Sequence, residues 1–478
     1  MFSKERRIVY KRQIKGFWEE FSHNRIGFLG LVLLLIFVVM AVFAPWLTPY
    51  DPIIAPRVAD GFAMPSWMTT FPQYSDYPYT VEVFPYWNIG IQSDFVEIFP
   101  GKDVEFRLYT TESRTTEVSV TTSFNYPNSV PPNAFVVTFE FTSQNVKNVW
   151  YSAKLFLINP NGSATRIWFE PYKNSPTSLS VIIESVDYWL IKSLGYTDPK
   201  AVNLAHLIFA DPTKGEYKLL MNLSFRPEEG AGVAEAELSL RSIRVFIPGL
   251  VHGILGTDFA GADVFSQLLY GSRISLLIGL MAATIETLLG ILVGVTAGYW
   301  GGAVDEGLMR VVDILLCLPG LPLLLTLVKL YGKNVFYIII FIAMFGWLGL
   351  SRTIRSQILS IREATFVECA VASGAKRSYI MFKHLIPNVA PIAIASLVLS
   401  VPGGILAEAS LSFLGFGDPR VPTWGKMLNY AFGHGAFENF AWWWAIPPGI
   451  AITLICLAFV FMGFAIDEII NPRLRRRR

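Results

Sequence analysis

The run Ile26–Ala44 holds 19 residues without a single charge. An uncharged stretch of about 18 residues or more is long enough to cross the hydrocarbon core of a bilayer as a helix. Seven basic residues precede it: Lys4, Arg6, Arg7, Lys11, Arg12, Lys15 and Arg25. The competing reading is a cleaved secretory signal, whose apolar part is only about 7–15 residues long. Phe43-Ala44-Pro45-Trp46 also offers no small-x-small cleavage site. The run is therefore read as a retained first span. Apolar runs return after residue 273, and spans are predicted near 275–299, 311–331, 335–351, 389–413 and 445–466, six in all. Pro319, Gly320 and Pro322 interrupt the third.

Between the first span and the rest lies a block of different chemistry. Residues 51–250 carry 15 Lys+Arg against 21 Asp+Glu, while the remainder carries 24 against 16. The whole chain is 53% hydrophobic and 16% charged, against about 25% charged in an average soluble protein. That balance excludes a disordered chain, a nucleic-acid-binding tail protein and an ordinary cytosolic enzyme. The cysteines are Cys317, Cys369 and Cys456, none of them in the block, so no disulfide staples it and no Cys/His metal spacing occurs. The block must fold around a hydrophobic core.

Its pattern is mostly β. Phe135, Val137, Phe139 and Phe141 alternate with Val136, Thr138 and Glu140, as do Leu219, Met221, Leu223 and Phe225 with their neighbours. Period-two alternation is the signature of a half-buried strand. Asn159-Pro160-Asn161-Gly162 separates two such runs and suits a hairpin turn. One helix is expected at 198–210, with Thr197 as its cap and Pro199 in its first turn. The expectation is an antiparallel sandwich-like domain with a small helical excursion. Asn161-Gly-Ser and Asn222-Leu-Ser are glycosylation triplets.

Basic residues set the orientation. Segment 351–386 carries Arg352, Arg355, Arg362, Lys376, Arg377 and Lys383, and the chain ends in Arg473 and Arg475 to Arg478, whereas 414–444 carries only Arg420 and Lys426. The positive-inside bias puts both termini and 352–386 in the cytoplasm and the 51–250 block outside.

The segment Arg362 to Asn388 reads as two short helices around a turn at Gly374, which suits the left-handed position that ends a helix, with Pro387 limiting the second. A cytoplasmic helical hairpin between two spans is either a docking surface or an amphipathic connector. Here the residues carry a resemblance. Glu368-Cys369-Ala370, Gly374 and Leu385-Ile386-Pro387 resemble the EAA loop of the membrane subunits of binding-protein-dependent ABC importers, with Cys369 in place of the usual Ala. Further stretches resemble the C-type permease of dipeptide, oligopeptide and nickel importers. They include Asn24-Arg25-Ile-Gly27, Gly256-Thr257-Asp258 to Asp263-Val264, Leu269-Tyr270-Gly271-Ser-Arg273, and Gly298-Tyr-Trp-Gly301-Gly302 with Asp305 and Asp313. Ile405 to Gly415, with Glu408, and Pro422-Thr-Trp424-Gly425 complete the set. The resemblance covers 20–55 and 250–472 and leaves the inserted block unmatched. Ala262 stands where that subclass usually has Arg, so no role for that Arg carries over.

The resemblance implies an α-helical polytopic membrane protein of the type I ABC importer kind with six transmembrane helices, and the alternation and the positive-inside bias add an inserted, mainly β, extracytoplasmic domain. Its parts are a cytoplasmic segment 1–25, a first helix 26–49, the β-rich domain 50–250, a permease core 251–472 with the coupling loop 362–388, and a basic tail 473–478. It implies that Glu368, Ala370, Gly374, Ala375, Ile386 and Pro387 couple to an ATPase, and that Asp258, Asp263 and Arg273 belong to an extracytoplasmic motif. Implied partners are a second permease subunit, two ABC ATPase subunits, a solute-binding protein outside and the lipid bilayer, with no nucleic acid and no cofactor. No Gly-Lys pair in this chain is followed by Ser or Thr, so the G-x-x-x-x-G-K-[ST] phosphate cradle is absent. ATP hydrolysis is expected on another chain.

Charges within spans are costly and mark either a polar pathway or an interhelical partner. Glu286 lies midway along 275–299, and Glu408 toward the far end of the fifth span; both are candidates for the translocation path or its gate, Glu408 as a structural or gate-adjacent group. Glu286 therefore either lines a substrate path or sits paired or protonated in a helix interface; an ion-coupled secondary transporter using Glu286 is the alternative function. Gly290, Gly294 and Gly298 recur at four-residue spacing and favour close helix packing. Trp442-Trp443-Trp444 suits an aromatic belt at the membrane interface. His252 with Asp258 and Asp263 is a weak outer metal arrangement in a chain with 5 histidines. A one-span receptor leaves five spans unexplained, and no nucleophile–base or metal constellation supports an enzyme. The 51–250 block either scaffolds or gates at the outer mouth, or only packs on the complex.

Overall fold

The computed structural model describes residues 15–16, 18–210, 213–230 and 232–470. The basic residues of 1–14 and 473–478, on which part of the orientation reading rests, lie outside the described residues. In chain order, helix α1 (Arg25–Leu47) leads into strands β1 (Val81–Val83), β2 (Asn88–Ile89), β3 (Val96–Phe99), β4 (Val104–Thr110), β5 (Thr116–Tyr126) and β6 (Val136–Lys147). Then come β7 (Val149–Ile158), β8 (Ala164–Lys173), β9 (Thr177–Glu184), helices α2 (Tyr188–Ser193) and α3 (Leu204–Ile208), β10 (Gly215–Pro227) and β11 (Ala234–Ile247). The remainder is helical: α4 (Val264–Trp300), α5 (Gly302–Cys317), α6 (Gly320–Tyr331), α7 (Val335–Ile361), α8 (Thr365–Ala372), α9 (Arg377–Ile380), α10 (Ile386–Phe413), α11 (Trp424–Gly433) and α12 (Trp442–Ile470). The chain divides into two compact units, Arg57–Asp263 and everything else.

The β unit consists of two antiparallel sheets sharing one core. One runs β3-β4-β11-β6-β9, with β1 also on β11, and the other runs β2-β5-β10-β7-β8. The alternating residues fill the core as expected: Phe135, Val137, Phe139 and Phe141 are buried from one sheet, and Leu219, Met221, Leu223 and Phe225 from the other. Trp168 meets Phe139 and Phe141 edge-on at 5.1 and 5.5 Å, a geometry favoured by the ring quadrupole. The Asn159–Gly162 turn joins β7 to β8, with Gly162 at φ +86° and its N–H bonded to the Asn159 carbonyl.

The helix expected at 198–210 is not one helix. A 3-10 turn spans Pro199–Ala201, and α3 begins only at Leu204. Asp198 accepts from the Lys200 N–H and Asn203 from the His206 N–H. Two local caps so close together end the first turn and restart the helix, because each side chain offers the backbone a rival partner. A second helix, α2, goes unforeseen; Asp187 caps it by accepting from the N–H groups of Trp189 and Leu190.

In the helical unit, among the described residues, five helices are long and apolar enough to cross a membrane, and six if α5 and α6 together count as one span. These two are bent by 89° at a short break. The span expected near 311–331, interrupted at Pro319–Pro322, is a broken pair that starts at Gly302. Pro319 at the break has no N–H to continue the ladder. Helix α1 opens on Asn24, whose side chain accepts from the Gly27 N–H at 3.0 Å. Gly27 and Gly30 lie against α12: a Cβ on Gly27 would sit 2.4 Å from the Ala465 Cβ. The three tryptophans do not form a belt. Trp443 and Trp444 are buried, and only Trp442 is partly exposed. Consecutive helical residues are about 100° apart, so three in a row cannot share the lipid-facing side.

Candidate coupling loop and intramembrane sites

Helix α8 carries Glu368 in its first turn, where the helix dipole favours a carboxylate. Gly374 at φ +76° ends the hairpin's first arm. Its N–H bonds the Val371 carbonyl at 2.9 Å and the Ala375 N–H bonds the Ala370 carbonyl at 3.1 Å. This is the Schellman closure, in which a left-handed residue satisfies the last orphan carbonyls. A Cβ on Gly374 would meet nothing within 4 Å, so its requirement is conformational rather than steric.

The second arm departs from expectation. Pro387 does not end it. From Arg377 the chain runs through a π-turn at Met381–Leu385 directly into α10, and together they form one candidate span. The wider turn accommodates Pro387, which would otherwise clash with a carbonyl one turn back. Val367, Ile380, Met381 and Leu385 are buried against Val295, Ile354 and Ile358. The opposite side shows Phe366, Val371, Tyr379 and Phe382, each between 44% and 68% exposed. His384 sits between the rings of Phe366 and Tyr379, at 6.2 and 5.8 Å. Glu368, Gly374 and Pro387 are exposed, while Ala370, Ala375 and Ile386 are half-buried. The loop is thus a firmly rooted hairpin with an apolar outer face.

Two ion pairs join α5 to α7. Arg355 donates to both oxygens of Asp305, at 2.5 and 2.6 Å, and Arg352 pairs with Asp313. Arg362 reaches the Gly298 carbonyl at 3.3 Å. Sequence reasoning used these arginines only for orientation and missed the pairs. Their signal is nevertheless present: Arg352 and Arg355 are three apart, which puts them on one helix face.

Glu286 is buried, and Gly346 of α7 faces it so closely that a Cβ there would lie 2.0 Å from the carboxyl. Gly290, Gly294 and Gly298 admit Leu350, Ile354 and Ile358 at distances no Cβ would tolerate. Glu408 is buried and accepts from the Ser412 hydroxyl at 2.6 Å. Nearby, Trp424 is fully buried, donates to the Leu268 carbonyl at 3.0 Å and lies against Gly271. Arg273 holds its guanidinium 5.6 Å from the Tyr270 ring centre.

In the β unit, Asp258 accepts from the N–H groups of Ala260 and Ala262, both at 2.9 Å. Thr257 bridges Asp263, and Gly261 turns the chain at φ +81°. His252 lies 3.4 Å from Asp263. Among the described residues no group of three His, Cys, Asp or Glu is arranged to hold a metal.

The architecture is that of a polytopic helical membrane protein with an inserted β-sandwich. Residues 290–476 match the binding-protein-dependent transport system inner membrane component family, and 12–64 match the N-terminal TM domain of oligopeptide transport permease C. The dipeptide transport system permease protein DppC of Bacillus subtilis is 38% identical over 222 residues, 46% of this chain and 69% of that protein. The oligopeptide transport system permease protein OppC of Haemophilus influenzae is 38% identical over 224 residues, 46% and 71% of the two chains. The glutathione transport system permease protein GsiD of Pectobacterium atrosepticum is 33% identical over 222 residues, 46% and 73%. The chain belongs to the binding-protein-dependent transport system inner membrane component family. It is a multi-pass permease component of an ABC transporter, not its ATPase, and this displaces the ion-coupled reading of Glu286.

Proposed function

We propose that this chain is one of two membrane subunits that enclose a path for peptides or similar small solutes, driven by two ATPase subunits that grip residues 362–388. The carrying observation is the exposed apolar face of Phe366, Val371, Tyr379 and Phe382 on a hairpin whose other face is buried in the bundle. A face of this kind in contact with water calls for a partner. Its rigid root would carry a displacement of the ATPases into α7 and α10. The names of the relatives, dipeptide, oligopeptide and glutathione permeases, support peptides as the solute.

In this reading both termini and the hairpin are cytoplasmic and the β-rich domain is outside, where a solute-binding protein docks. Glu368, Ala370, Gly374, Ala375, Ile386 and Pro387 shape the coupling surface. Glu286 and Glu408 hold helices beside the path, and Asp258, Asp263 and Arg273 order the outer approach to α4. The test is co-purification with the ATPases. Gly374→Pro and Glu368→Lys should each lose the ATPases and transport while still inserting in the membrane; ATP-driven uptake that persists in both would end the coupling assignment. Deleting residues 56–248 with a short linker tests the outer domain, whose docking role requires a loss of binding-protein capture.

A further inference from the structure

Among the described residues the two sheets have five edge strands, and four of them are blunted. Strand β2 has two residues, β1 three including Glu82, β3 four including Glu97, and β8 carries Pro171 and breaks register against β7. Short strands, charges, prolines and bulges are how proteins keep a sheet edge from pairing with other chains. Strand β9 has only one of these devices, the charge of Glu184 at its last position. Its eight residues stay in unbroken register with β6, from Val136↔Glu184 to Ser143↔Thr177, and carry no proline and no charge before Glu184. Among the described residues no strand pairs with its other side. Ile182 stands 65% exposed on it.

A cavity of about 380 Å³ opens beside this edge, between β9 and β8, with α2 at its end. Trp168, rooted on Phe139 and Phe141, forms one wall. Trp189 stands at the rim, 71% exposed. Glu184 and Asp187 add negative charge at the same end; Arg166 lies in the lining, and Lys192 and Lys154 stand over the Trp189 and Phe169 rings at 5.3 and 5.9 Å. An unguarded edge supplies main-chain hydrogen bonds, and an adjoining pocket supplies side-chain selection, which is how domains that recognise extended peptides by strand addition work.

We propose that β9 and its cavity bind an extended peptide. The peptide backbone adds to the free edge of β9, an apolar or aromatic side chain enters the cavity against Trp168 and Trp189, and a cationic group meets Glu184. The acidic balance of the β-rich block favours the same cationic ligand. The site deepens the peptide-importer reading and rests on it for the role of the captured peptide, though the edge chemistry stands by itself.

The experiment uses the full chain in lipid nanodiscs and a fluorescein-labelled hexapeptide, Lys-Val-Thr-Phe-Thr-Val. Two further probes carry N-methyl groups on one or the other set of alternate backbone nitrogens. Only alternate N–H groups of a strand face its neighbour, so one methylated set should weaken binding at least tenfold while the other binds like the parent. Trp189→Ala and Ile182→Lys, both at exposed positions, should each weaken binding several-fold. Glu184→Gln should erase the preference for Lys over norleucine at the first position. Equal binding of both methylated sets, indifference to Trp189→Ala and Ile182→Lys, or no saturable binding overturns the proposal. Peptide uptake by the assembled importer is measured separately. Binding without ATP-driven uptake defeats the peptide-importer reading and spares this site; uptake without binding does the reverse.

Discussion

Helices α4 and α7 meet across Gly290, Gly294 and Gly298, whereas the two sheets of the β unit meet across Phe139, Phe141, Met221 and Phe225. The contrast follows from the solvent each region displaces. In lipid, burying an apolar side chain gains little, so helices associate through close backbone approach and interhelical polar contacts. In water the gain scales with apolar area, about 25 cal/mol per Å², so the sheets recruit large rings. Charge is handled as differently. The bundle pairs Arg355 with Asp305 in a half-buried, two-bond clamp, while the β unit carries pairs such as Arg107–Glu237 that remain largely solvated and contribute little.

The comparison can be broken at specific positions. The largest effect is expected at Gly346. Gly346→Val drives a side chain into the Glu286 carboxyl, and folded yield in detergent should collapse, whereas Gly346→Ala combined with Glu286→Ala should recover much of it. If Gly346→Val folds like the parent, the close approach is not what holds α4 to α7. Next comes the β core, where Phe139→Ala should cost about 3–5 kcal/mol, read as a lower denaturant midpoint of the β signal with the helical signal retained. A midpoint unchanged by Phe139→Ala would mean the sheets do not depend on this ring. For the α5–α7 clamp, Asp305→Asn and Arg355→Gln should show a coupling of about 0.5–3 kcal/mol in a double-mutant cycle, and additive losses would count against the pair.

The smallest effect is one of pH. Asp418, in the segment between α10 and α11, accepts from Arg420 at 3.0 and 2.9 Å and from the Val335 N–H at 3.3 Å. The Arg420 guanidinium is the main cause that holds its carboxyl below the usual carboxylate range. A depressed folded-state pKa contributes stability above the unfolded value, near about 3.9, and that contribution fades as pH falls through the lower folded value. Thermal stability of the parent should therefore exceed that of Asp418→Asn near neutrality, and the gap should close on acidification below about pH 4. A gap that persists to pH 2 would show that the loss comes from packing rather than charge.

Much of this was legible along the chain because it depends on periodicity. Alternation located β6 and β10, the uncharged run located α1, and the four-residue glycine repeat announced close packing. Turn chemistry at Asn159–Gly162 and the left-handed residue at Gly374 could be read because glycine is the residue that takes positive φ without steric cost. The misreadings share another cause. Thr197 competes as a cap with Asp198 and Asn203, which take the backbone N–H groups. The composition of the tryptophan run does not show which helix faces its members occupy. Pro387 suits a helix end, but the π-turn before it lets the helix continue.

The sequence by itself determined the membrane class, the β character of the insertion and the hairpin between two spans, since hydrophobic length, alternation and turn residues are local quantities. The tertiary structure decided which glycine faces Glu286, which arginine clamps Asp305 and which sheet edge is left unguarded. Those depend on which segments lie side by side, and distant residues meet only once the chain has folded.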